Sequence, residues 1–320
     1  MAKKQKCKIF PVIREEVLTM QDVEQNAGWA VTAFNLPDAW QHTKGEDVVV
    51  AVLDTGCQLD HPDLADNLLP GMNFINPKLP PEDDCQKGHG THATGIICAL
   101  DNEEGIVGVA PKAKVRPVKV LDKYGNGDLS IVAQGIRWAA DQGVDFISLS
   151  LGAPNPLQQV RKAIQYADKK GVVIFCAAGN SGFTEDIFYP AAYPEPIAIG
   201  AIDENLVRCK FSCTGKNLDF MAPGNKILST VPKNWYAILS GTSMACPWAV
   251  GIACLVLSCK KKGKLNVQLK TAEDFRNIFK SYTTDIADKD LKNKEFYEGF
   301  GIIDPRKLHH ALDQFMSKNP

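Results

Sequence analysis

The chain has 320 residues, 45% of them hydrophobic and 23% charged, a composition that excludes intrinsic disorder and supplies ample material for a core. Its 36 Lys and Arg residues balance 37 Asp and Glu residues, and the net charge of −1 argues against nucleic-acid or anionic-membrane partners, which require a basic excess. No apolar run approaches the ~20 residues needed to cross a bilayer, and the N-terminus lacks the apolar segment of a secretory signal. We therefore expect a cytoplasmic protein.

Strand-like and helix-like segments alternate along the chain. The strand-like segments are continuous apolar runs rich in branched residues, at 48–53, 115–120, 146–151, 172–177 and 197–202. The helical patterns lie at 129–141, 157–169, 244–259, 271–282 and 305–315. This alternation predicts the α/β class, with a mostly parallel central sheet and helices on both faces, in one large domain over residues 21–320. Residues 1–20 form a more polar extension, of a kind that is often loosely held.

Ten cysteines are distributed over the chain, and several lie in apolar runs, such as Cys98, Cys176 and Cys254. Paired CxxC motifs with zinc spacing are absent from the sequence. Buried free thiols behave as small hydrophobic residues. We therefore expect reduced thiols in a cytoplasmic protein rather than a disulfide framework.

Polar residues stand at junctions between strand-like and helical segments. Asp54 follows the run VVVAVL, His89 lies in the glycine-rich segment GHGTHATGI, and Ser243 lies at a predicted helix start in SGTSMACPWAVG. Each alone is better explained as a capped strand end or a helix cap than as a functional residue. Together they supply a serine nucleophile, a histidine that can take its proton and an aspartate that orients the histidine. Asn180, after another strand, could donate its amide to the developing oxyanion.

The blocks AVLDTG followed by HPDL, GHGTHATG, AAGNSG and GTSMACP resemble, in this order, four signature blocks of the subtilisin family of serine endopeptidases. The similarity runs from about residue 29 to about residue 304. The resemblance implies that Asp54, His89 and Ser243 form a catalytic triad, with Asn180 as the side-chain donor to the oxyanion. It further implies that the substrates are proteins and peptides, which are hydrolysed through an acyl-enzyme.

The resemblance also implies a substrate cleft with two glycine-containing edges. Ser150, Leu151 and Gly152 resemble the family's edge segment that pairs with the substrate backbone as an added strand. Gly125 and Gly127 resemble the opposite edge, where glycine lets the substrate approach closely.

Four further positions are implied to shape this cleft or its surroundings. Leu121 and Leu129 match residues that line an apolar pocket further from the scissile bond. Phe188 stands where extracellular relatives commonly carry a small residue, and we expect it to shorten the primary specificity pocket and disfavour large P1 side chains. Trp248 replaces the family's usual histidine, a change expected to alter packing behind the serine helix but not the triad.

The resemblance implies Ca²⁺ as a cofactor. An acidic loop follows the predicted helix that carries His89, and hard oxygen ligands of this kind suit Ca²⁺. The family's strong calcium site would take the side chains of Asp63 and Asn102 and the carbonyls of Leu100, Glu104 and Ile106. On the residues alone, an acidic loop is more often simply solvated.

The extension contains the segment Ile9, Phe10, Pro11 and Val12, which resembles the Leu-Ile-Pro-Tyr/Phe element of bacterial intracellular subtilisins in its proline and apolar character. In that branch the extension lies across the cleft, and the proline keeps the scissile bond out of reach of the serine. The resemblance implies that residues 1–20 are an intramolecular inhibitor removed by cleavage. The alternative for this segment is a frayed tail that happens to carry an apolar patch.

A homodimer is typical of the intracellular branch, and the predicted helix around 308–315 could contribute to it. A catalytically silent binding protein of the same family, permanently plugged by its extension, is the main competing function, and the presence of all four active-site residues argues against it. An α/β-hydrolase esterase would need GxSxG and the order Ser, Asp, His, neither of which occurs.

Overall fold

The structure is a computed structural model of the chain, and it describes residues 6–19, 28–156, 158–182, 186–287, 294–307 and 309. Its strands are β1 Lys6–Ile9, β2 Ile13–Leu18, β3 Val49–Asp54, β4 Met72–Asn73, β5 Lys114–Lys119, β6 Asn126–Asp128, β7 Phe146–Leu149, β8 Leu151–Gly152, β9 Val173–Ala177, β10 Ile197–Ile202, β11 Phe220–Pro223, β12 Ile227–Val231, β13 Trp235–Ser240, β14 Thr283–Thr284 and β15 Ile302–Ile303. Its α-helices are α1 Gly28–Ala33, α2 Leu36–Trp40, α3 His89–Cys98, α4 Leu129–Asp141, α5 Gln158–Lys169, α6 Thr242–Lys261, α7 Ala272–Lys280 and α8 Lys294–Glu298.

The central sheet of the described part has nine strands in the order β14-β15-β11-β10-β9-β7-β3-β5-β4. All neighbours pair in parallel except β14 with β15. Its middle is built from the five strands that the apolar runs predict, and these are buried almost continuously because both faces of the sheet are covered. The predicted α/β architecture is confirmed.

Two helix pairs pack on this sheet. Helix α3 packs against α6, and α4 packs against α5, with each helix also contacting sheet strands. Helix α6 is the longest, with 20 residues, and by length and composition it could cross a membrane. The sequence-based statement that no segment reaches spanning length is therefore wrong for α6. Its apolar character is explained by its place in the core, where Thr242 to Cys259 are all buried.

The extension is not a loose tail. Strand β1 lies between β6 and β8 in a three-stranded antiparallel sheet, and β2 adds to the edge of the β12–β13 hairpin. Residues 6–18 are therefore held by backbone hydrogen bonds to two separate parts of the protein. The expectation of a loosely held segment is wrong for them.

Two further predictions concern the ten cysteines and the helix expected at 305–315. All ten cysteines are free and buried, as expected for reduced thiols in apolar surroundings. The helix predicted at 305–315 lies largely outside the described residues, which include only 305–307 and 309 of it.

Candidate active site

Asp54 and His89 form a buried ion-pair geometry at the carboxyl edge of the sheet. Asp54 ends β3, and His89 begins α3. The Nδ1 atom of His89 lies 2.8 Å from Oδ1 of Asp54, and the two side chains are 0% and 1% exposed. The backbone N–H of Thr55 donates to the same carboxylate oxygen at 2.7 Å. The carboxylate thus accepts from Nδ1–H and leaves Nε2 as the nitrogen that can take a proton.

Ser243 lies at the same edge because of the strand register. Leu53 of β3 pairs with Leu149 of β7, so that Ser150 follows β7 beside Asp54. The Ser150 hydroxyl donates to the carbonyl of Ser243 at 3.0 Å. Ser243 occupies the first turn of α6, where backbone N–H groups and the positive end of the helix dipole favour a developing oxyanion.

Asn180 has its amide orientation fixed by the start of α6. Its Oδ1 accepts from the backbone N–H of Thr242 at 2.9 Å and from the Thr242 hydroxyl at 2.7 Å. Because both partners are donors, the oxygen must face them, and the Nδ2 group must face the cleft. Nδ2 donates there to the carbonyl of Pro11 at 2.9 Å.

The Ser243 hydroxyl makes no hydrogen bond to the imidazole among the described residues. Its Oγ donates weakly to the carbonyl of Ser150 at 3.5 Å. His89 Nε2 is buried without a hydrogen-bond partner among the described residues, as is Asp54 Oδ2. The His–Asp part of the predicted triad is therefore in contact, whereas the Ser–His hydrogen bond is not formed in this arrangement.

Charged residues that the sequence motifs do not single out lie near Asp54 and His89. Lys119, at the end of β5 and 4% exposed, pairs in register with Asp54 and donates its ammonium to the carbonyl of Thr55. The same ammonium binds Asp84 at 2.7 Å. Asp83 is buried and accepts from the backbone and hydroxyl of Thr91 in α3 at 3.0 and 2.8 Å. Burial raises the pKa of the Asp83 carboxyl.

The extension lies in the predicted cleft, and β1 pairs antiparallel with both of its edges. Lys8 is opposite Asn126 of β6 on one side and Gly152 of β8 on the other. The backbone N–H of Ile9 donates to the carbonyl of Gly125 at 2.9 Å. A side chain at position 125 would come within 2.5 Å of the Ile9 side chain, so the edge needs glycine there.

Two side chains of the extension point into buried pockets. Cys7 is 2% exposed. It lies at Gly127, where a Cβ atom would stand 2.6 Å from Leu121 and 3.2 Å from the Cys7 sulfur. Leu129, which begins α4, is also buried, at 4% exposure.

Phe10 occupies the second pocket, between Gly152 and Phe188. Phe10 is 2% exposed and meets the Phe188 ring edge to face at a centroid distance of 5.5 Å. A Cβ atom at Gly152 would lie 2.7 Å from the Phe10 ring. Phe188 therefore contacts a large side chain of the extension, and its expected effect on the P1 preference stays a prediction. The pocket holds a phenylalanine because the Phe188 ring lines it as an aromatic wall, where it makes a favourable edge contact.

The residue in the pocket is not the residue at the amide donor. Phe10 fills the pocket, whereas the carbonyl held by Asn180 belongs to Pro11, the next residue. Lys87, two residues before His89, donates to the following carbonyl, that of Val12, at 3.4 Å. The backbone is thus displaced by one residue between the pocket and the carbonyl site.

The acidic loop wraps around the carboxylate of Asp63. Asp63 is 1% exposed and accepts from the backbone of Ile106 at 2.9 Å, the hydroxyl of Tyr236 at 3.0 Å and the amide of Asn102 at 3.2 Å. The backbone N–H of Leu100 donates to the Asp63 carbonyl, and that of Glu104 to the Asn102 side chain. Burial raises the pKa of the Asp63 carboxyl, and its contacts in the described residues are neutral donors. The Asp63 carboxylate is thus satisfied by neutral donors, and the described residues contain no group of three or more His, Cys, Asp or Glu side chains placed to hold a metal ion. A hard cation at this loop would have to draw mainly on amide and backbone oxygens beside Asp63.

An imidazole oriented by a buried carboxylate, with a serine at a helix start and an amide donor on the same edge of an α/β sheet, is the apparatus of a serine hydrolase. Comparison with known proteins agrees with this class. A family profile described as Subtilase family matches residues 45–301. The intracellular serine protease of Paenibacillus polymyxa is 40% identical over 254 residues, covering 77% of this chain and 77% of the relative.

The major intracellular serine protease of Bacillus subtilis (strain 168) is 38% identical over 277 residues, covering 84% of this chain and 85% of the relative. Subtilisin DY of Bacillus licheniformis is 39% identical over 266 residues, covering 82% of this chain and 91% of the relative. The chain belongs to the Subtilase family and is a subtilisin-like serine endopeptidase.

Proposed function

We propose that Asp54, His89 and Ser243 are the catalytic triad of this endopeptidase. The proposal is supported by the buried contact between Asp54 and His89, whose side chains are 2.8 Å apart, and by the position of Ser243 in the first turn of α6. The proposed reaction requires the Ser243 hydroxyl to donate to Nε2 of His89, which has no hydrogen-bond partner among the described residues.

In the proposed reaction, Nε2 of His89 takes the hydroxyl proton as Ser243 Oγ attacks the carbonyl carbon of the substrate. The imidazolium that forms is stabilised by Asp54. It then gives the proton to the leaving amine nitrogen as the peptide bond breaks, which leaves an acyl-enzyme on Ser243. A water molecule, deprotonated by His89 in turn, hydrolyses the ester and regenerates the serine.

Asn180 is proposed as the side-chain donor to the oxyanion of both tetrahedral intermediates. It is supported by its fixed orientation, since Thr242 occupies its oxygen and leaves Nδ2 for a carbonyl oxygen in the cleft. The second donor would be a backbone N–H at the start of α6. Edge residues Ser150 to Gly152 and Gly125 to Gly127 would hold the substrate as an added strand, in the position that β1 takes.

The triad assignment is tested by peptide hydrolysis with Ser243→Ala and His89→Ala. Loss of either group should reduce turnover by several orders of magnitude while binding of a peptide in the cleft persists. Asn67→Ala, which removes another buried polar side chain that bonds to the carbonyls of Cys98 and Pro111, is a control for general loss of stability. Full activity of Ser243→Ala would refute the assignment.

We further propose that residues 1–20 are an inhibitory segment and residues 21–320 the catalytic domain. The proposal is supported by the course of the extension, which occupies both edges of the cleft, a buried pocket and the amide donor at once. With Phe10 in the pocket and the carbonyl of Pro11 at Asn180, the bond that faces the amide donor lies one residue beyond the pocket residue. Proline cannot donate to the strand ladder, and its fixed φ favours this displacement.

Deletion of residues 1–20 should raise the initial rate of peptide hydrolysis. Mass spectrometry of the full-length protein over time should show loss of the same segment as activity appears. An unchanged rate in the truncated protein, with its circular dichroism spectrum and Tm preserved, would refute inhibition by the extension.

A calcium ion is proposed at the Asp63 loop, held by Asp63 and Asn102 side chains and by carbonyls of Leu100, Glu104 and Ile106. When bound, the ion would stabilise the loop electrostatically; it supplies no chemistry to the reaction. Chelation should lower Tm, and Asp63→Asn should abolish the calcium dependence of Tm, while Asp101→Asn, in the same loop but paired with Lys44, should preserve it. A Tm independent of calcium in the parent protein would exclude the site.

An intracellular location and a homodimer are also proposed. The location is supported by the names of two relatives at about 40% identity, the intracellular serine proteases of P. polymyxa and B. subtilis. Cell fractionation tests the location, and sedimentation velocity tests the dimer. Recovery of the protease in the medium, or a single monomer peak at micromolar concentration, would contradict the respective proposal.

A further inference from the structure

The extension continues past the cleft centre as a strand on β13. Strand β2 pairs antiparallel with β13, with Ile13 opposite Ser240, Arg14 opposite Leu239 and Glu16 opposite Ile238. The Ser240 hydroxyl also donates to the Glu15 carboxylate at 3.1 Å. The β13 edge therefore accepts an extended chain immediately beyond the amide donor, on the side where the leaving part of a substrate would lie.

Arg14, which is exposed, lines a cavity between this strand and the loop that precedes α3. The cavity has a volume of about 390 Å³ and is lined by Arg14, Asp83, Asp84, Cys85, Gln86, Val231, Pro232, Lys233 and Trp235. An Nη1 N–H of Arg14 donates to the carbonyl of Gln86 at 3.1 Å. The guanidinium is thus held by a loop carbonyl, and two consecutive carboxylates, Asp83 and Asp84, line the same cavity.

The charges around the cavity favour a cation. Asp83 is satisfied by neutral donors only, among them Thr91 and the backbone of Cys85. Asp84 forms an ion pair with Lys119, which is not among the residues that line the cavity. On the opposite rim, the Lys233 ammonium lies 5.0 Å from the centre of the Trp235 ring, which draws it towards the aromatic face. Lys87 is engaged with the carbonyl of Val12.

We propose that β13 and this cavity form a subsite for the part of a substrate that follows the scissile bond, and that the subsite selects a basic residue at the third position after the cut. The position follows from the register, because the carbonyl at Asn180 belongs to Pro11 and Arg14 is the third residue after it. The inference rests on the proposed function, in which that carbonyl site is where the scissile bond reacts. The extension would then present a substrate-like basic side chain on the leaving side.

The subsite is tested with internally quenched peptides that share one sequence and differ only in Arg, Gln or Glu at the third position after the cut. The enzyme is the full-length chain with Phe10→Ala. The fraction of its molecules with an open cleft multiplies kcat/KM by the same factor for all three peptides, and it therefore cancels from their ratios. We expect Arg to exceed Glu by about tenfold in kcat/KM, with Gln between them, and the ratio to shrink as salt screens the partly exposed charges.

The carboxylate is tested in the same background. Asp84→Asn should reduce the Arg-to-Glu ratio to about twofold. The matched control is Asp141→Asn, which removes another exposed carboxylate paired with a lysine, Lys170, and should keep the full ratio. Mass spectrometry of the products confirms that all peptides are cut at the same bond.

Equal kcat/KM values for the three peptides, or a ratio that Asp84→Asn leaves intact, would overturn the subsite while leaving the protease assignment standing. Absence of cleavage of every peptide, or equal cleavage by the Ser243→Ala form, would instead refute the proposed function, and the subsite with it.

Discussion

The burial of Phe10 makes a quantitative prediction about how firmly the extension holds the cleft closed. The side chain is 2% exposed when docked and would be exposed to water when the extension leaves. Full burial of a phenylalanine stabilises the docked state by about 2–3 kcal/mol. Phe10→Ala should therefore shift the docking equilibrium, and with it the activity of the uncut protein, by about 30- to 160-fold towards the open form. The activity of the truncated protein sets the ceiling.

The assay is the initial rate of peptide hydrolysis by the full-length protein, before mass spectrometry detects any cut in the extension. Ile13→Ala is the matched control, because Ile13 lies in the same extension but is 56% exposed. That change should alter the rate by no more than about twofold. A rate unchanged by Phe10→Ala while removal of residues 1–20 activates the protein would refute the docking argument, as would equal effects of the two substitutions.

Three further substitutions probe the site and its support. Asn180→Ala should lower kcat by about 100- to 1000-fold, the range seen when such a donor is removed from a subtilisin, with little change in KM, and an unchanged kcat would exclude Asn180 from the oxyanion site. Lys119→Met should lower kcat/KM by about tenfold, because it leaves the buried carbonyl of Thr55, the residue after Asp54, without its donor. Lys119→Arg should restore part of the lost activity, and equal loss in both variants would contradict this positioning role. Burial lowers the pKa of His92 from 6.5 to about 3, so between these pH values the unfolded chain binds a proton that the folded protein does not. As the pH is lowered from 6 to 4, the free energy of unfolding should therefore fall by about 1.4 kcal/mol for each pH unit. Urea unfolding of His92→Gln, whose amide can still donate to the carbonyls of Ile227 and Ala237, should lack this part of the slope, and an identical slope would contradict the assignment to His92.

The central sheet was predictable because its strands are covered on both faces and therefore appear as continuous apolar runs. Strand β10 is observed at Ile197–Ile202, and helix α4 at Leu129–Asp141, the predicted bounds of both. The hairpin β12–β13 was not predicted, because its strands mix buried and half-exposed positions and resemble neither template. The strands of the extension were missed for another reason. Five of the six residues of β2 are exposed, so only its pairing partner defines it as a strand.

The site divides in the same way between local motifs and long-range contacts. Glycine-rich blocks mark where Asp54 and His89 stand, because tight turns and close helix packing leave a local signature. The contribution of Lys119 depends on its register with Asp54 across two parallel strands, which no local motif encodes. The prediction for Phe188 treats its aromatic ring as an obstruction, and its effect on the P1 preference stays a prediction. Only the neighbouring Phe10 reveals that the ring is a pocket wall.

A fluorophosphonate reacts with a serine that is activated as a nucleophile, so the rate and the site of its attachment test the whole account at once. Tryptic mass spectrometry should find the adduct on the peptide that contains Ser243, forming slowly in the uncut protein and at least tenfold faster once residues 1–20 are gone. An adduct on a different serine, or one that forms equally fast with the extension in place, would contradict the account.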